Sequence, residues 1–380
     1  MWRDPLGTEA SVPSGTRPWF LMVLEEVPMA IVGGLDLHRK QITFDVLDTV
    51  SGEVRRGRIS PADRQLFRGW LAGWAGQHVE LAVEGCTGWR FVIEECQAAG
   101  VVAHLAEPAE VAGLRGRRRH AKTDRIDARH LRDLLLQGRL PECWIPPQVV
   151  LETRAKVRLY RDLADQRTGW QQRLHATLYH LGAPAQRDLL SGDRDRLTRI
   201  AGLSPAARQA ITVALSMIAA LDAQIEPLRA ELIGFARRQP GCRAIAAEYG
   251  IGALTSVVIS VVISVVIWSE RGGEIVDARR FTHSRDAVRH AGLDITVYSS
   301  DGKRSPGRLS RQGSPLLRWA LYEAARCSAR TASPDHDYYR QVSDRLGGQR
   351  AALSVARKLA RRCHHRLRAL GEHALAPPPS

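Results

Sequence analysis

Apolar strand patterns alternate with helical patterns over the first third of the chain. The stretch "MAIVGGLDLHRKQITFDVLD" at 29–48 predicts two strands joined by a short turn, because two apolar, β-branched runs flank a polar segment. "VELAVEG" and "GVVAHLAEP" predict two further strands, and "TDRIDARHLRDLLLQG" predicts a helix that begins at the N-cap Thr123 and ends at Gly138. Strands interleaved with helices indicate an α/β domain.

The strand pattern disappears from about residue 149 onward. Between Ile211 and Phe235 apolar residues recur at alternating steps of four and three, which is typical of a coiled coil or a long helical hairpin. Pro227 lies within this seam and is expected to kink or break it. An earlier helix around Trp170 and Leu174 is a candidate partner within the chain, and pairing with a second copy is an equal alternative.

A second compact region with mainly helical patterns follows at 240–365. Its "YGIGALT" at 249–255 resembles the turn of a helix-hairpin-helix, in which backbone amides at a helix N-terminus meet a phosphate. In "SVVISVVISVVI" at 256–267 one tetrapeptide occurs three times. This apolar run is shorter than the roughly 20 residues that cross a bilayer, so it predicts a buried helix and no membrane segment. Its density of Val and Ile also favours a strand, which is the alternative.

These patterns divide the chain into five parts. They are a disordered extension at 1–28, an α/β domain at 29–145, a helical coiled-coil region at 146–238, a C-terminal domain at 239–368 and a disordered tail at 369–380. The extension is rich in Gly, Pro, Ser and Thr, and its apolar run "RPWFLMVL" is too short for a membrane span and is followed by acids. Met29 is therefore a candidate for the true start.

The charge of the chain indicates what kind of partner it binds. Its 55 Lys and Arg against 40 Asp and Glu leave a net charge of +15, which predicts a polyanionic partner. The charge is bunched, and bunching fits a phosphate backbone better than it fits a soluble surface. The two clusters are Arg115, Arg117, Arg118, Arg119, His120 and Lys122, and Arg357, Lys358, Arg361, Arg362, His364, His365, Arg366 and Arg368. Six cysteines without a CxxC pair argue against structural zinc and for a reducing cytoplasm.

Two acids lie three residues apart on the helix predicted after the first basic cluster. At this spacing Asp124 and Asp127 share one face of the helix, with Cβ atoms roughly 5 to 6 Å apart. Two such charges repel each other unless a cation joins them. The alternative is structural: Asp124 caps its helix, and Asp127 pairs with Arg125 or Arg129.

Two more acids lie on predicted strands. Asp36 is within "GLDLHRK", and Glu84 ends the apolar strand "LAVEG". An acid on a buried strand is costly unless it binds something. Four carboxylates from two strands and one helix are suited to hold two Mg²⁺ ions about 3.5 to 4 Å apart, the arrangement that serves phosphodiester transfer.

Several motifs together resemble a known family. "GLDLHRK", "VEGCTGW" and "KTDRIDARHL" resemble the three acidic motifs of the DEDD transposases, insertion-sequence recombinases whose N-terminal domain is like the Holliday-junction resolvase RuvC. "YGIGALT" and the stretch from "RRFTHSRDAVRHAGLD" to "LLRWALYEAA" resemble the second domain of that family, so the likeness runs over about 29–358. The resemblance implies an RNase H-like fold with Asp36, Glu84, Asp124 and Asp127 as Mg²⁺ ligands.

The resemblance also implies a serine that attacks DNA and forms a covalent phosphoserine link. The matching position is Ser300 in "VYSSDGK", where Asp301 stands at a position usually held by Gly, and Ser299 is the adjacent alternative. From the residues alone, both serines are ordinary turn residues. Basic residues around and after this serine are expected to hold the DNA backbone, namely Lys303, Arg304, Arg308, Arg311 and Arg318.

The function that the resemblance implies is transposition. The enzyme would cut and rejoin double-stranded DNA at the element ends and the target, guided by a structured noncoding bridge RNA, as a homodimer or tetramer in the bacterial cytoplasm at the nucleoid. Two alternatives stay open. A resolvase-like, structure-selective nuclease needs the four acids but not Ser300, and a catalytically inactive remnant only binds nucleic acid.

The triple repeat bears on activity. Without eight of its residues the chain reads "GALTSVVIWSERGG", which matches the spacing of the family better. We therefore interpret the repeat as an in-frame expansion, and the sequence leaves open whether this copy is active.

Overall fold

The structure is a computed structural model, and the chain divides into two compact units, residues 1–143 and 144–380. The first unit is a mixed α/β sheet domain, and the second is mostly helical. The residues that the structure describes are 31–115, 123–183, 189–200, 202–263, 283–296, 299–300, 303–304, 307–311 and 313–374. The predicted extension at 1–28 and the candidate start Met29 lie outside them.

A six-stranded sheet forms the first unit. Its strands are β1 Ile31–Leu37, β2 Ile42–Asp48, β3 Val54–Ile59, β4 Val79–Glu84, β5 Val102–Ala106 and β6 Glu142–Cys143. Their order across the sheet is β3-β2-β1-β4-β5-β6, with β1 antiparallel to β2 and parallel to β4. This arrangement is consistent with the expected RNase H-like fold.

Four helices accompany the sheet: α1 Arg64–Ala72, α2 Trp89–Ala98, α3 Pro108–Leu114 and α4 Asp124–Leu136. Helix α4 packs on β1, and Leu131 and Leu135 of α4 share a core with Val32 of β1. Val32 is fully buried, as expected for a central strand. Helix α4, which carries Asp124 and Asp127, therefore covers the face of the sheet that carries Asp36.

The predicted hairpin of β1 and β2 and the predicted strands β4 and β5 are confirmed, as is α4 with Thr123 at its N-cap. The sequence patterns did not predict β3 and β6. Strand β3 reads "VRRGRI" and lies at the edge of the sheet. Most of its residues are exposed there, and its arginines interrupt the apolar pattern of a strand. Strand β6 has two residues, too few for a pattern.

A histidine bridges two acids across β4, β5 and β6. The ring nitrogens of His104 lie 3.1 Å from Oε2 of Glu80 and 2.9 Å from Oε1 of Glu142. Burial lowers the pKa of His104, but the hydrogen bonds to Glu142 and Glu80 outweigh it and raise the pKa from 6.5 to about 9. The protonated imidazole therefore stabilises the folded sheet.

We expect the free energy of unfolding to fall as the pH rises from 6.5 to 9. The folded pKa of His104 exceeds the unfolded value, so its stabilisation is complete below pH 6.5 and is lost as the pH passes about 9. The loss is at most about 3 kcal/mol. Urea unfolding across this range measures it. His104→Gln is the control, and an equal pH slope in that variant contradicts the assignment.

The second unit consists of eight helices among the residues described, with four two-residue strands. The helices are α5 Gln148–His180, α6 Pro205–Arg238, α7 Pro240–Ala246, α8 Ala253–Ile263, α9 Ser284–His290, α10 Pro315–Arg326, α11 His336–Leu346 and α12 Gly348–Leu370. The strands are β7 Ile295–Thr296, β8 Ser299–Ser300, β9 Lys303–Arg304 and β10 Arg308–Leu309. Strand β7 pairs with β10, and β8 pairs with β9, both antiparallel.

The apolar seam of α6 packs against α5. Ile211 and Ile218 are fully buried in one cluster with Leu174, so the seam has a partner inside the chain. The helix continues through Pro227 and does not end there. A coiled coil with a second copy stays a prediction.

Helix α6 is, within the described part of the chain, the one long and apolar enough to cross a membrane. A core helix of a soluble protein passes the same test, and the inward face of α6 is buried against α5. The expectation of no membrane segment therefore stays a prediction.

The repeat forms a buried helix as far as the structure describes it. Every residue from Ser256 to Ile263 of α8 is buried, which confirms the expected helix over this part; 264–267 lie outside the described residues. Gly250 in the turn before α8 has a φ of +87°, and a Cβ there would lie 2.4 Å from the carbonyl oxygen of Ala324. Glycine is therefore required in this turn, although its likeness to a helix-hairpin-helix stays a prediction.

One core joins parts of the chain that the sequence divides at residue 238. Val157 of α5 and Leu232 of α6 share a cluster with Val257 of α8 and Leu359 of α12. Helix α12 runs to Leu370 and a 3₁₀ turn follows at Gly371–Ala374, within the segment predicted as a disordered tail; 375–380 lie outside the described residues.

Candidate metal centre

Two neighbouring parallel strands carry the first two acids. Leu35 of β1 pairs with Val83 of β4, so Asp36 and Glu84, one residue further on, lie beside each other on adjacent strands. Asp36 is 6% exposed and Glu84, at the strand end, is half-buried. The register of these two central strands places both carboxylates side by side at the carboxyl ends of β1 and β4.

Helix α4 brings the other two acids over this strand. Its N-cap Thr123 accepts a hydrogen bond from the backbone N–H of Ile126, and this fixes Asp124 and Asp127 in the first turn. The helix approaches β1 at Gly34, where a Cβ would lie 2.0 Å from the carbonyl oxygen of Ala128. The missing side chain of this glycine is what permits the close approach.

The tightest group is formed by Asp36, His38 and Asp124, whose ligand atoms all lie within 4.8 Å of one another. Nε2 of His38 lies 3.2 Å from Oδ2 of Asp36 and 3.5 Å from Oδ1 of Asp124. The side-chain amide of Gln41 donates to Oδ2 of Asp124 at 3.0 Å. Carboxylate oxygens and an imidazole nitrogen form a donor set that suits a divalent cation.

The pKa of Asp36 is affected by the other three acids of the site. Burial raises its pKa, His38 opposes that rise, and the charges of Asp124, Asp127 and Glu84 raise the pKa further. The carboxyl of Asp36 thus lies where negative charge converges and where a bound cation would relieve it. Glu84 and Asp127 contribute to this field but lie outside the tight group.

Buried carboxylate oxygens test whether the site fits a metal. Oδ2 of Asp36 and Oδ1 of Asp127 are buried and accept no well-directed hydrogen bond. Each has a cationic or ionisable partner within ion-pair distance: Nε2 of His38 for Asp36, and Nη1 of Arg115 at 2.6 Å for Asp127. A buried carboxylate oxygen without a hydrogen bond is costly, and a divalent cation beside Asp36 would satisfy its Oδ2. Asp127 already has Arg115, so the fit to a metal ion rests on Asp36, His38 and Asp124.

The structural alternative for the aspartate pair names the wrong residues, although Asp127 does pair with an arginine. Thr123, not Asp124, caps the helix. The cation beside Asp127 is Arg115, which the sequence assigned to DNA binding, and Arg129 pairs with Asp133 instead.

A buried ion pair fixes α4 to the sheet. Nη1 of Arg132 contacts Oδ1 of Asp45 on β2, and the other oxygen of Asp45 accepts from Nε of Arg56 at 2.7 Å. Arg132 is 6% exposed and also donates to Asp133 at 2.6 Å. This network sets the rotation of α4, and with it the positions of the acids in its first turn.

Sequence reasoning missed His38, Gln41 and Arg132. His38 stands two residues after Asp36 and directly after β1, so its closeness in sequence to the acid was an available signal. The contacts of Gln41 and Arg132 join residues more than 80 positions apart along the chain. Only the packing of α4 on the sheet reveals them.

The remaining predicted residues lie elsewhere. Arg117, Arg118, Arg119 and Lys122 are outside the described residues. In the second unit Ser299 and Ser300 form β8, which pairs with β9 at Lys303 and Arg304. Arg308 and Arg311 line a cavity, and Nη1 of Arg318 donates to the carbonyl of Ala291 at 3.2 Å.

Comparison with known proteins finds matches to one family of transposases. The IS110 model of DEDD transposases, described as "Transposase", matches residues 33–181, and the model described as "Transposase IS116/IS110/IS902 family" matches residues 244–340. The protein named "Putative transposase y4rJ" of Sinorhizobium fredii (strain NBRC 101917 / NGR234) is 27% identical over 338 residues, which cover 78% of this chain and 80% of the relative.

The sheet domain, its acidic site and these matches define a transposase, an enzyme that cuts and rejoins DNA. The two family models together match more than half of the 380 residues, in the expected order. The chain belongs to the IS110 family of DEDD transposases. The resemblance read from its acidic motifs is confirmed.

Proposed function

We propose that this transposase recombines DNA with two chemical parts, the acidic site of the first unit and a serine of the second. The observation that carries the proposal is the meeting of Asp36 and Asp124, which are 88 positions apart in sequence and lie within 4.8 Å through their ligand atoms. Such a costly gathering of charge is typical of functional sites.

Asp36, Glu84, Asp124 and Asp127 would hold Mg²⁺, with two ions as the expected number. When bound, the ions would polarise the scissile phosphate and stabilise the attacking and leaving oxygens. His38 adds a donor between Asp36 and Asp124. Arg115 neutralises Asp127.

Ser300 would be the nucleophile. Its Oγ loses a proton and bonds to phosphorus, while one ester oxygen of the DNA backbone leaves and takes up a proton. The phosphoserine link conserves the energy of the phosphodiester, so the reverse attack by a DNA hydroxyl reseals the strand without ATP. This fits a sequence that contains no GxxxxGK[ST] motif.

A structured noncoding RNA would select the DNA by base pairing. The protein then needs to contact shape and backbone more than bases, and a net charge of +15 supports this. The DNA is double-stranded at the element ends and target. A dimer or tetramer is expected, because exchange between two duplexes requires several cuts. The site of action would be the cytoplasm, at the nucleoid.

We expect the protein, incubated with Mg²⁺ and the noncoding RNA that flanks its own element, to become covalently attached to labelled donor or target DNA. Ser300→Ala removes the hydroxyl that forms the link and therefore abolishes the adduct. Denaturing gel electrophoresis measures it, with Ser299→Ala as the matched control. DNA cutting that persists without an adduct in Ser300→Ala would instead indicate the resolvase-like nuclease.

A further inference from the structure

A basic cavity lies in the second unit. It has a volume of about 560 Å³ and is lined on one side by α12. Arg350, Leu353, Ser354 and Arg357 contribute to it from positions i, i+3, i+4 and i+7, which is one continuous face of the helix. We call this space the arginine cavity.

Four arginines converge on the arginine cavity. Arg308 and Arg311, at and after β10, face Arg350 and Arg357 of α12, and no acidic side chain lines the cavity in the described part of the chain. Nε of Arg357 donates to the carbonyl of Leu293 at 2.6 Å, and burial lowers the pKa of Arg357. Asp294 opposes this fall, but it does not line the cavity. A half-buried guanidinium that shares a cavity with three others favours an anion.

Apolar side chains complete the arginine cavity. Ile295 and Leu346 are 48% and 51% exposed, and Leu353 is half-buried beside them. A surface that holds only the outer phosphates of a duplex needs no such exposed aliphatic residues. Cations beside an apolar wall are complementary to a phosphate joined to a flat base, and the volume lies in the range of small-ligand pockets, about 300 to 1,000 Å³.

We propose that the arginine cavity binds one unstacked nucleotide of a single strand, with its phosphate on Arg350 and its base against Leu346 and Leu353. The cavity wall β7 ends at Thr296, four residues before Ser300. The inference rests on the proposed function in one respect: recombination supplies the displaced strand. The strand is DNA or guide RNA, which share this chemistry.

The first test measures binding of dT12, rU12 and a matched DNA duplex to the full chain by fluorescence anisotropy, in EDTA. We expect Arg350→Gln to weaken binding of the preferred single strand about tenfold and to lower the salt slope by about 0.7. The duplex should lose less. Arg340→Gln is the control, because this exposed arginine of α11 lies outside the cavity and the change in net charge is equal.

The second test addresses the base. A strand with abasic positions should bind about fivefold more weakly than dT12 or rU12, because the nucleotide in the cavity then has no base to contact the apolar wall. Leu346→Ser should remove this difference. Leu346 is half exposed, so its replacement leaves the core intact. Equal binding of abasic and intact strands by the unaltered protein overturns the proposal, as does unchanged binding by Arg350→Gln.

The two proposals fail differently. Binding in EDTA needs neither metal nor Ser300, so a protein that binds single strands but forms no covalent adduct refutes the recombinase chemistry and leaves the cavity. Adduct formation with unchanged binding in Arg350→Gln refutes the cavity and leaves the chemistry.

Discussion

Asp36→Asn is expected to slow DNA strand cleavage at least about a thousandfold, because it removes the carboxylate on which the field of the other three acids converges. The amide keeps the shape of the side chain but loses the charge that attracts a cation. The measurement is single-turnover cleavage of labelled DNA with the guide RNA and Mg²⁺. Glu53→Gln, an exposed acid of the same unit that pairs with Arg55, is the matched control and keeps the rate.

The same substitution separates metal binding from folding. Burial and neighbouring acids raise the pKa of Asp36, so its charged form opposes folding at neutral pH and Asp36→Asn should unfold at a higher temperature than the unaltered protein without Mg²⁺. Mg²⁺ at a hundredfold excess over its dissociation constant stabilises the unaltered protein by about 2.7 kcal/mol. This gain should vanish in the variant. A variant that is destabilised and still responds to Mg²⁺ would contradict the site.

Gly34→Ala is expected to have the second largest effect. Its Cβ would lie 2.0 Å from the carbonyl oxygen of Ala128 and 2.6 Å from the backbone nitrogen of Arg132, and neither backbone atom can rotate away. Helix α4 must therefore shift, and a displacement near 1 Å costs about a hundredfold in rate. Overpacking adds a loss of about 1 to 3 kcal/mol in the free energy of unfolding.

Urea unfolding and the cleavage assay measure both effects. Gly69→Ala is the matched control, since Gly69 lies in α1 and a Cβ added there would meet open space. That variant should be equally or slightly more stable than the unaltered protein, because alanine favours a helix more than glycine does. An active, stable Gly34→Ala variant would show that α4 does not need this close approach to form the acidic site.

The periodic parts of the first unit could be predicted from the sequence. Strands β1, β2, β4 and β5 are apolar runs with turns between them, and α4 has a cap, an apolar face and a terminal glycine. Edge strand β3 was not predicted because its exposed arginines interrupt the apolar pattern that marks a strand. Burial decides such a strand, and burial depends on which neighbours fold beside it.

The four acids of the site could be identified in the sequence, but the sequence did not show which of them lie closest together. All four look alike in the motifs, whereas the structure places Asp36 and Asp124 with His38 in one tight group. It pairs Asp127 with Arg115. Local spacing fixes which face of an element a residue occupies, but it does not fix the distance to another element.

The amino-acid sequence by itself determined four strands and helix α4 of the first unit, the identity of the acidic motifs and the basic character of the chain, because periodicity, capping and charge are local properties. The tertiary structure decided the rest. Gly34 lets α4 approach β1, and the Arg132 and Asp45 ion pair sets its rotation. Distant α12 supplies two of the four arginines of the arginine cavity. These contacts join residues far apart in the chain, so only the packed core brings them within bonding distance.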